Sequence, residues 1–280
     1  MARPAPRRSR GQCWRRHERP AALHLPHDRR RWRAYPLCHH GDSAKPRPGP
    51  DDLEYSKRAM ARDQLLVMNA LGFDRFGVAG HDRGGRVGHR LALDAPEAVS
   101  ALAVLDVVPT RHAFENADKD FALGYYHWFF LATGNGIPEH LIGGDPRFWI
   151  TSRMSARHHG GTAFDPAAIE EYVRCFDQAS IAASCSDYRA AAGVDLVHDS
   201  EGGLIEAPLL ALWGEHSFVG RHYDVLDVWR SYATDVRGQA LPCDHYLPEE
   251  RPDEVAAALA EFFRPRPSGT ARDPGRKPPA

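Results

Sequence analysis

The stretch Phe76-Gly-Val-Ala-Gly-His-Asp-Arg-Gly-Gly-Arg86 decides the fold. A short apolar run from Phe76 ends in Gly80-His81-Asp82-Arg83-Gly84-Gly85, and a helix-like segment runs from Arg86 to Leu93. Strand, sharp turn and helix in this order make a nucleophile elbow. The turn is so tight that only small residues fit two places before and two places after its apex. Gly80 and Gly84 fill those places, and Gly85 permits close helix–strand packing. The apex is Asp82, where this motif usually carries serine. A serine elbow makes acyl-enzymes, whereas an aspartate elbow attacks an alkyl carbon and carries the resulting ester on its own carboxylate. The bland alternative is that Asp82 merely caps a helix after a Gly-rich turn.

Outward from this stretch the chain alternates between strands and helices. Tyr55 to Leu71 reads as an amphipathic helix with Met60, Leu65, Leu66, Met68 and Leu71 as its apolar positions, ended by Gly72. Val99 to Val108 is a second buried strand with Asp106 near its C-terminal end. Strand–helix–strand at this spacing implies parallel pairing and a covered sheet, whose ligands bind at the C-terminal strand ends. Residues 110–205 carry no strand signal and are rich in aromatics, as in Tyr125-Tyr126-His127-Trp128-Phe129-Phe130; they read as a helical cap. Pro208 to Trp213 and Val236 to Leu241 are the next strands, with a helix around residues 223–232 between them and another from Asp253 to Phe263. The expected class is therefore α/β: a mostly parallel sheet built from residues 41–109 and 206–264, with the cap inserted and a disordered tail at 265–280.

With 42% hydrophobic and 26% charged residues, 280 residues can build one large domain with an insert. The net charge of −1 is unevenly spread: residues 1–40 hold eleven Arg against Glu18 and Asp28, a net of +9. Five Cys with no CxxC pair argue for reduced thiols in a cytoplasmic protein, not a disulfide or zinc scaffold. No stretch has the roughly 18 apolar residues of a membrane span. No nucleic-acid or membrane partner is expected of the folded part.

Asp82, Asp106 and His245 follow one another in the nucleophile–acid–histidine order of this fold, each just after an expected strand. His245 is placed to take a proton from water, and Asp106 to fix its tautomer and stabilise the imidazolium. A second place for the acid lies after the strand ending in Trp213. There Trp213-Gly214-Glu215-His216-Ser217 has serine where an aspartate would sit, which favours Asp106 over Glu215. Two arginines, Arg83 and Arg86, beside an anionic nucleophile make sense for a substrate that is itself an anion. The plain alternatives are a surface or salt-bridged arginine, and, for the cap aromatics, simple packing.

On GHDRGGR (80–86) together with LDVVPT (105–110), YYHWFF (125–130), CSDYRAA (185–191), RAMARDQ (58–64), GDSAKP (41–46) and DHYLPEE (244–250), residues 41–264 resemble the haloacetate dehalogenases of the α/β-hydrolase superfamily, most closely the fluoroacetate dehalogenases. The resemblance implies cofactor-independent, metal-free hydrolysis of a small haloacid by water. Asp82 would displace halide, Asp106 and His245 would hydrolyse the ester, and Arg83 and Arg86 would hold the substrate carboxylate. His127, Trp128 and Tyr188 would cradle the halide. Family members are often homodimers, so the resemblance leaves a homodimer open without deciding the oligomeric state. Epoxide hydrolases share the aspartate elbow and are the nearest rival; they need cap tyrosines, for which Tyr188 and Tyr125 or Tyr126 could serve.

The sequence departs from the family in two places. An opening strand, an HGFP-type loop and a strand ending in DLRGYG are lacking before Gly41. The Arg-, Pro- and His-rich residues 1–40 read as a basic arm, as a transit peptide or, preferred for this reason, as a segment foreign to the fold. On that reading the sheet lacks two strands and the oxyanion loop, and the chain is an impaired relative of active enzymes. Asp244 stands where the family has glycine, and is expected to favour imidazolium at His245.

Overall fold

A computed structural model describes residues 45–155 and 164–264. The expectations for residues 1–40, most of the GDSAKP turn and the C-terminal tail lie outside the described residues. Among the described residues four parallel strands lie in the order β1 (Phe76–His81), β2 (Val99–Leu105), β3 (Leu209–Gly214) and β4 (Val236–Leu241). Pairing runs His81 to Leu105, Leu105 to Leu212 and Gly214 to Leu241, so all four C-terminal ends meet on one edge. Among the described residues β1 has a strand neighbour on one side only.

Before β1 stands α1 (Lys57–Ala70), and α2 (Arg83–Asp94) crosses from β1 to β2. Among the described residues eight helices then intervene between β2 and β3: α3 (Thr110–Glu115), α4 (Lys119–Gly124), α5 (Tyr126–Ala132), α6 (Ile137–Gly144), α7 (Pro146–Ser155), α8 (Pro166–Cys175), α9 (Gln178–Ala192) and α10 (Val194–Ser200). Next, α11 (Phe218–His222) and α12 (Val225–Arg230) link β3 to β4, and α13 (Leu247–Glu250) and α14 (Pro252–Phe262) follow. The strands agree with the sequence reading to within about three residues. None of the described helices is long and apolar enough to cross a membrane.

Side chains alternate across the strands and so fill two cores. Leu102, Val104, Leu209 and Ala211 join Ala61, Leu91, Trp229 and the inserted helices on one face. Ala103, Leu105, Leu210 and Leu212 meet Val255 and Phe262 of α14 on the other. The apolar stripe read for α1 is narrower than expected. Lys57 and Ala61 are buried and Leu65 and Met68 pack on the core, but Leu66 and Leu71 are 55% and 50% exposed. The helix docks along a seam spaced by four, four and three residues, and Leu66 and Leu71 lie off it.

The glycines of the elbow divide the work differently from expectation. A Cβ on Gly80 would lie 2.3 Å from the Gly84 carbonyl, and one on Gly85 would lie 2.7 Å from Val107. One on Gly84 would meet nothing within 4 Å. The close approach is made by the Gly84 backbone, not by its missing side chain. Gly80→Ala should therefore cost about 2–3 kcal/mol in urea unfolding, whereas Gly84→Ala, on an exposed first helical turn, should be neutral or stabilise by up to about 1 kcal/mol.

Candidate active site

Asp82 sits between β1 and α2 with φ 48° and ψ −118°, a conformation rare outside glycine. The backbone holds it there. Its N–H donates to Leu105 O at 3.1 Å, and its own carbonyl accepts from Gly85 N at 2.9 Å and Arg86 N at 3.3 Å. Asp106, one step beyond β2, has φ 47° and is 2% exposed. Its Oδ1 accepts from Ser217 Oγ at 2.6 Å and from Gly214 N at 3.1 Å. Its Oδ2 accepts from His245 Nδ1 at 2.7 Å. That bond leaves the other ring nitrogen facing the elbow: His245 Nε2 lies 3.5 Å from Asp82 Oδ2. The three residues read as nucleophile, acid and base are thus in one line on one sheet edge.

Glu215, the runner-up acid, pairs instead with the neighbouring His216 at 3.0 Å. Ser217 is the reason the exchange works. It does not replace the acid of the other topology; it hydrogen-bonds the acid that has moved to β2, and also caps α11 by accepting from Gly220 N at 2.9 Å. Sequence reading used Ser217 only as evidence of a missing aspartate.

The charges set the protonation states. Burial works to raise the Asp82 carboxyl, but the His245 contact and the Arg86 charge outweigh it and hold Asp82 well below the usual carboxylate range. Burial works to lower His245, but hydrogen bonds to Asp106 and Asp82 and their charges raise it above the ordinary imidazole value. His81, in contrast, is pushed down to about 4 by burial and by the neighbouring His245. As a neutral ring it donates from Nε2 to His245 O at 2.7 Å and steadies the loop that carries the base. Asp244 shows the expected attraction to the base, since the His245 charge works to lower its carboxyl, but it also holds the backbone there. Its Oδ1 accepts from the His245 backbone N–H at 2.8 Å, and burial pushes its carboxyl up. The charges raising His245 belong chiefly to Asp106 and Asp82.

Both arginines flank the elbow, each with a different partner. Arg86 is 4% exposed, with Nη2 3.5 Å from Asp82 Oδ1 and its guanidinium 4.0 Å above the Trp128 ring. Its Nε is buried with no hydrogen-bond partner among the described residues. Arg83 Nη1 donates to Asp187 Oδ2 at 2.9 Å, and Asp187 in turn accepts from Lys57 Nζ at 2.5 Å. Neither Asp187 nor Lys57 was singled out in the sequence, since nothing local connects residues 130 positions apart.

His127 and Trp128 of α5 and Tyr188 of α9 come together: the Tyr188 ring lies 5.6 Å from His127 and 6.1 Å from Trp128. All three are buried, and Trp128 also packs edge-on against Phe114 and Phe121. Burial and the Asp82 charge raise the Tyr188 phenol, so its O–H stays a donor. Tyr125 stacks on Trp128 while Tyr126 is 50% exposed.

An aspartate elbow, an acid after the second strand and a histidine after the last, on a parallel sheet with inserted helices, define an α/β-hydrolase. The chain belongs to that family: residues 24–252 match the model of the alpha/beta hydrolase fold. The match begins inside the basic segment, upstream of residue 41. A fluoroacetate dehalogenase from Burkholderia sp. is 41% identical over 234 residues, 82% of this chain and 77% of that protein. A soluble epoxide hydrolase from Corynebacterium sp. (strain C12) is 31% identical over 80% of this chain and 78% of its own length. Among solved structures, ALR0039 from Nostoc sp. PCC 7120, a candidate α/β hydrolase, superposes with TM-score 0.78 at 49% identity over 80% of this chain and 78% of that one. A mutant of a candidate epoxide hydrolase from Pseudomonas aeruginosa, solved with bound MFA, gives 0.71 at 44% identity over 76% and 74%.

Two measurements check this geometry. Ser217→Ala removes a buried donor to Asp106 and a helix cap, and should cost about 2–3 kcal/mol in urea unfolding. His245 binds its proton more tightly folded than unfolded, so its stabilisation is complete below about pH 6.5. It fades as pH rises through the raised folded value. Unfolding free energy should therefore fall as pH rises above about 6.5, and His245→Gln should remove most of that fall.

Proposed function

We propose that this chain is a hydrolytic dehalogenase that converts a haloacid of the haloacetate type, fluoroacetate included, to the 2-hydroxy acid and halide through an ester on Asp82. The observation that carries the reading is one carboxylate placed between a histidine–aspartate pair and a buried arginine, with His245 Nε2 and Arg86 Nη2 each 3.5 Å away. The incompletely bonded guanidinium of Arg86 suits an anionic substrate. The kinship to a fluoroacetate dehalogenase supports the choice of substrate.

In this mechanism the substrate carboxylate lies on Arg83 and Arg86. An oxygen of Asp82 attacks the α-carbon, and the carbon–halogen bond breaks with its electron pair leaving on the halide. The N–H groups of His127 and Trp128 and the O–H of Tyr188 receive that anion. His245 Nε2 then takes a proton from water, whose oxygen attacks the ester carbonyl of Asp82. The tetrahedral intermediate collapses, the leaving alkoxide oxygen takes the proton from His245 to give the hydroxy acid, and the regenerated Asp82 carboxyl loses its proton to solvent. The Arg83 backbone N–H, first in α2, is one of the two donors that this fold offers to the oxyanion. Esterification also neutralises Asp82, removing one of the two charges that hold the proton on His245. The base is thereby released at the stage that needs it.

Kinship to epoxide hydrolases keeps a second reading in view. It is weakened by Tyr126, which is half-exposed, and by Tyr125, which is stacked on Trp128. Purified protein should release fluoride or chloride from haloacetates, and Asp82→Asn should lower the rate at least about 10³-fold. His245→Ala should accumulate a carboxymethyl ester, visible by mass spectrometry on the Asp82 peptide. Diol from an epoxide without halide release would reverse the ranking, and no turnover of either substrate would mark the chain as impaired.

A further inference from the structure

We infer that Asp187 is a positioning residue that fixes the Arg83 guanidinium beside Asp82 and so sets where the substrate carboxylate lies. The inference rests on the dehalogenase reading. Arg83 opens α2, and its side chain is 44% exposed. Left alone, such a side chain samples many rotamers, and holding it still costs about 2 kcal/mol. Asp187 is the anchor: its side chain is 4% exposed and its Oδ2 accepts from Arg83 Nη1 at 2.9 Å. That bond uses one of the five N–H groups of the fork. Asp187 is itself gripped from the other side. Its Oδ1 accepts from Lys57 Nζ at 2.5 Å. Lys57 is in turn held by Asp195 through Nζ at 3.2 Å and through its backbone N–H at 2.8 Å.

The cluster joins two cations to two carboxylates and is neutral as a unit. Three of its four members, Lys57, Asp187 and Asp195, have side chains only 3–4% exposed. Buried ion pairs seldom stabilise a fold more than apolar groups of the same shape would. What this one supplies is a fixed location for a guanidinium at the rim of the site. Its setting supports that role. Asp187 directly precedes Tyr188, whose ring lies 5.8 Å from the Arg83 guanidinium carbon. Consecutive residues of α9 therefore hold both ends of a haloacetate: the carboxylate through Arg83 and the halide through Tyr188. The distance between the two fixes the α-carbon against Asp82, and in-line attack tolerates little error there.

The test uses the full chain, Asp187→Asn, and the charge-balanced double variant Lys57→Met with Asp187→Asn. Thermal melts establish folding. Calorimetric titration with glycolate reads the carboxylate site, tryptophan quenching by bromide reads the halide site, and chloride release from chloroacetate reads turnover. Asp187→Asn should raise the glycolate Kd and the chloroacetate KM about tenfold, with bromide affinity within twofold of wild type. Unchanged glycolate binding, or an equal loss for bromide, overturns the positioning role. Should the single variant not fold, the double variant is read by the same criteria, and loss of folding in both assigns the cluster to structure alone. Absence of halide release from the wild type removes the dehalogenase reading, while the glycolate titration still decides Asp187; a wild type that binds no glycolate overturns the inference too.

Discussion

One buried carboxylate ties three strand ends together. Asp106, at the end of β2, takes a backbone N–H from the last residue of β3, a hydroxyl from the cap of α11, and the imidazole that follows β4. Its own N–H is committed to Leu212 O at 2.7 Å, and the preceding carbonyl, Leu105 O, receives the N–H of Asp82. The elbow, the base and the sheet edge are therefore referred to one point. A carboxyl group this deeply enclosed is tolerable only because its acceptor positions are met by such donors. The same saturation aims His245 Nε2 at Asp82.

Backbone strain is spent at the same edge. Asp82 and Asp106 both have positive φ, in the region that glycine favours, at a cost of about 1–3 kcal/mol each. In both cases the strain turns a carboxylate out of the strand direction and over the C-terminal rim. The covered sheet on either face, with Leu102 and Val104 in one core and Ala103 and Leu105 in the other, makes the sites rigid enough to keep it.

The architecture and the candidate triad were legible because both are written locally. Gly80 through Gly85 spells a turn, and Asp106 and His245 each close an apolar run. The choice of Asp106 over Glu215 was legible from the serine at 217, though the hydroxyl's own bond to Asp106 was not. What stayed hidden was pairing over distance. Nothing local marks Lys57 or Asp187 until folding places Lys57 against Asp187 and Asp187 against Arg83. The exposed faces of Leu66 and Leu71 were misread because a 3.6-residue pattern reports periodicity without saying how wide the docking seam is. The Gly84 reading failed for a related reason: a motif records which residue is small, not which atom is crowded.

The inserted helices also bear on how the chain acquires its structure. β2 and β3 are neighbours in the sheet, yet the Asp106–Gly214 bond spans 108 residues and the Asp106–His245 bond 139. Closing such loops costs conformational entropy before any contact repays it, which slows folding of parallel sheets. The β1–α2–β2 unit can form early from local contacts, placing two of the three candidate residues while the third is still remote in the chain. The arrangement makes completion of the site a late event, and binds the order of folding to the order of residues along the chain.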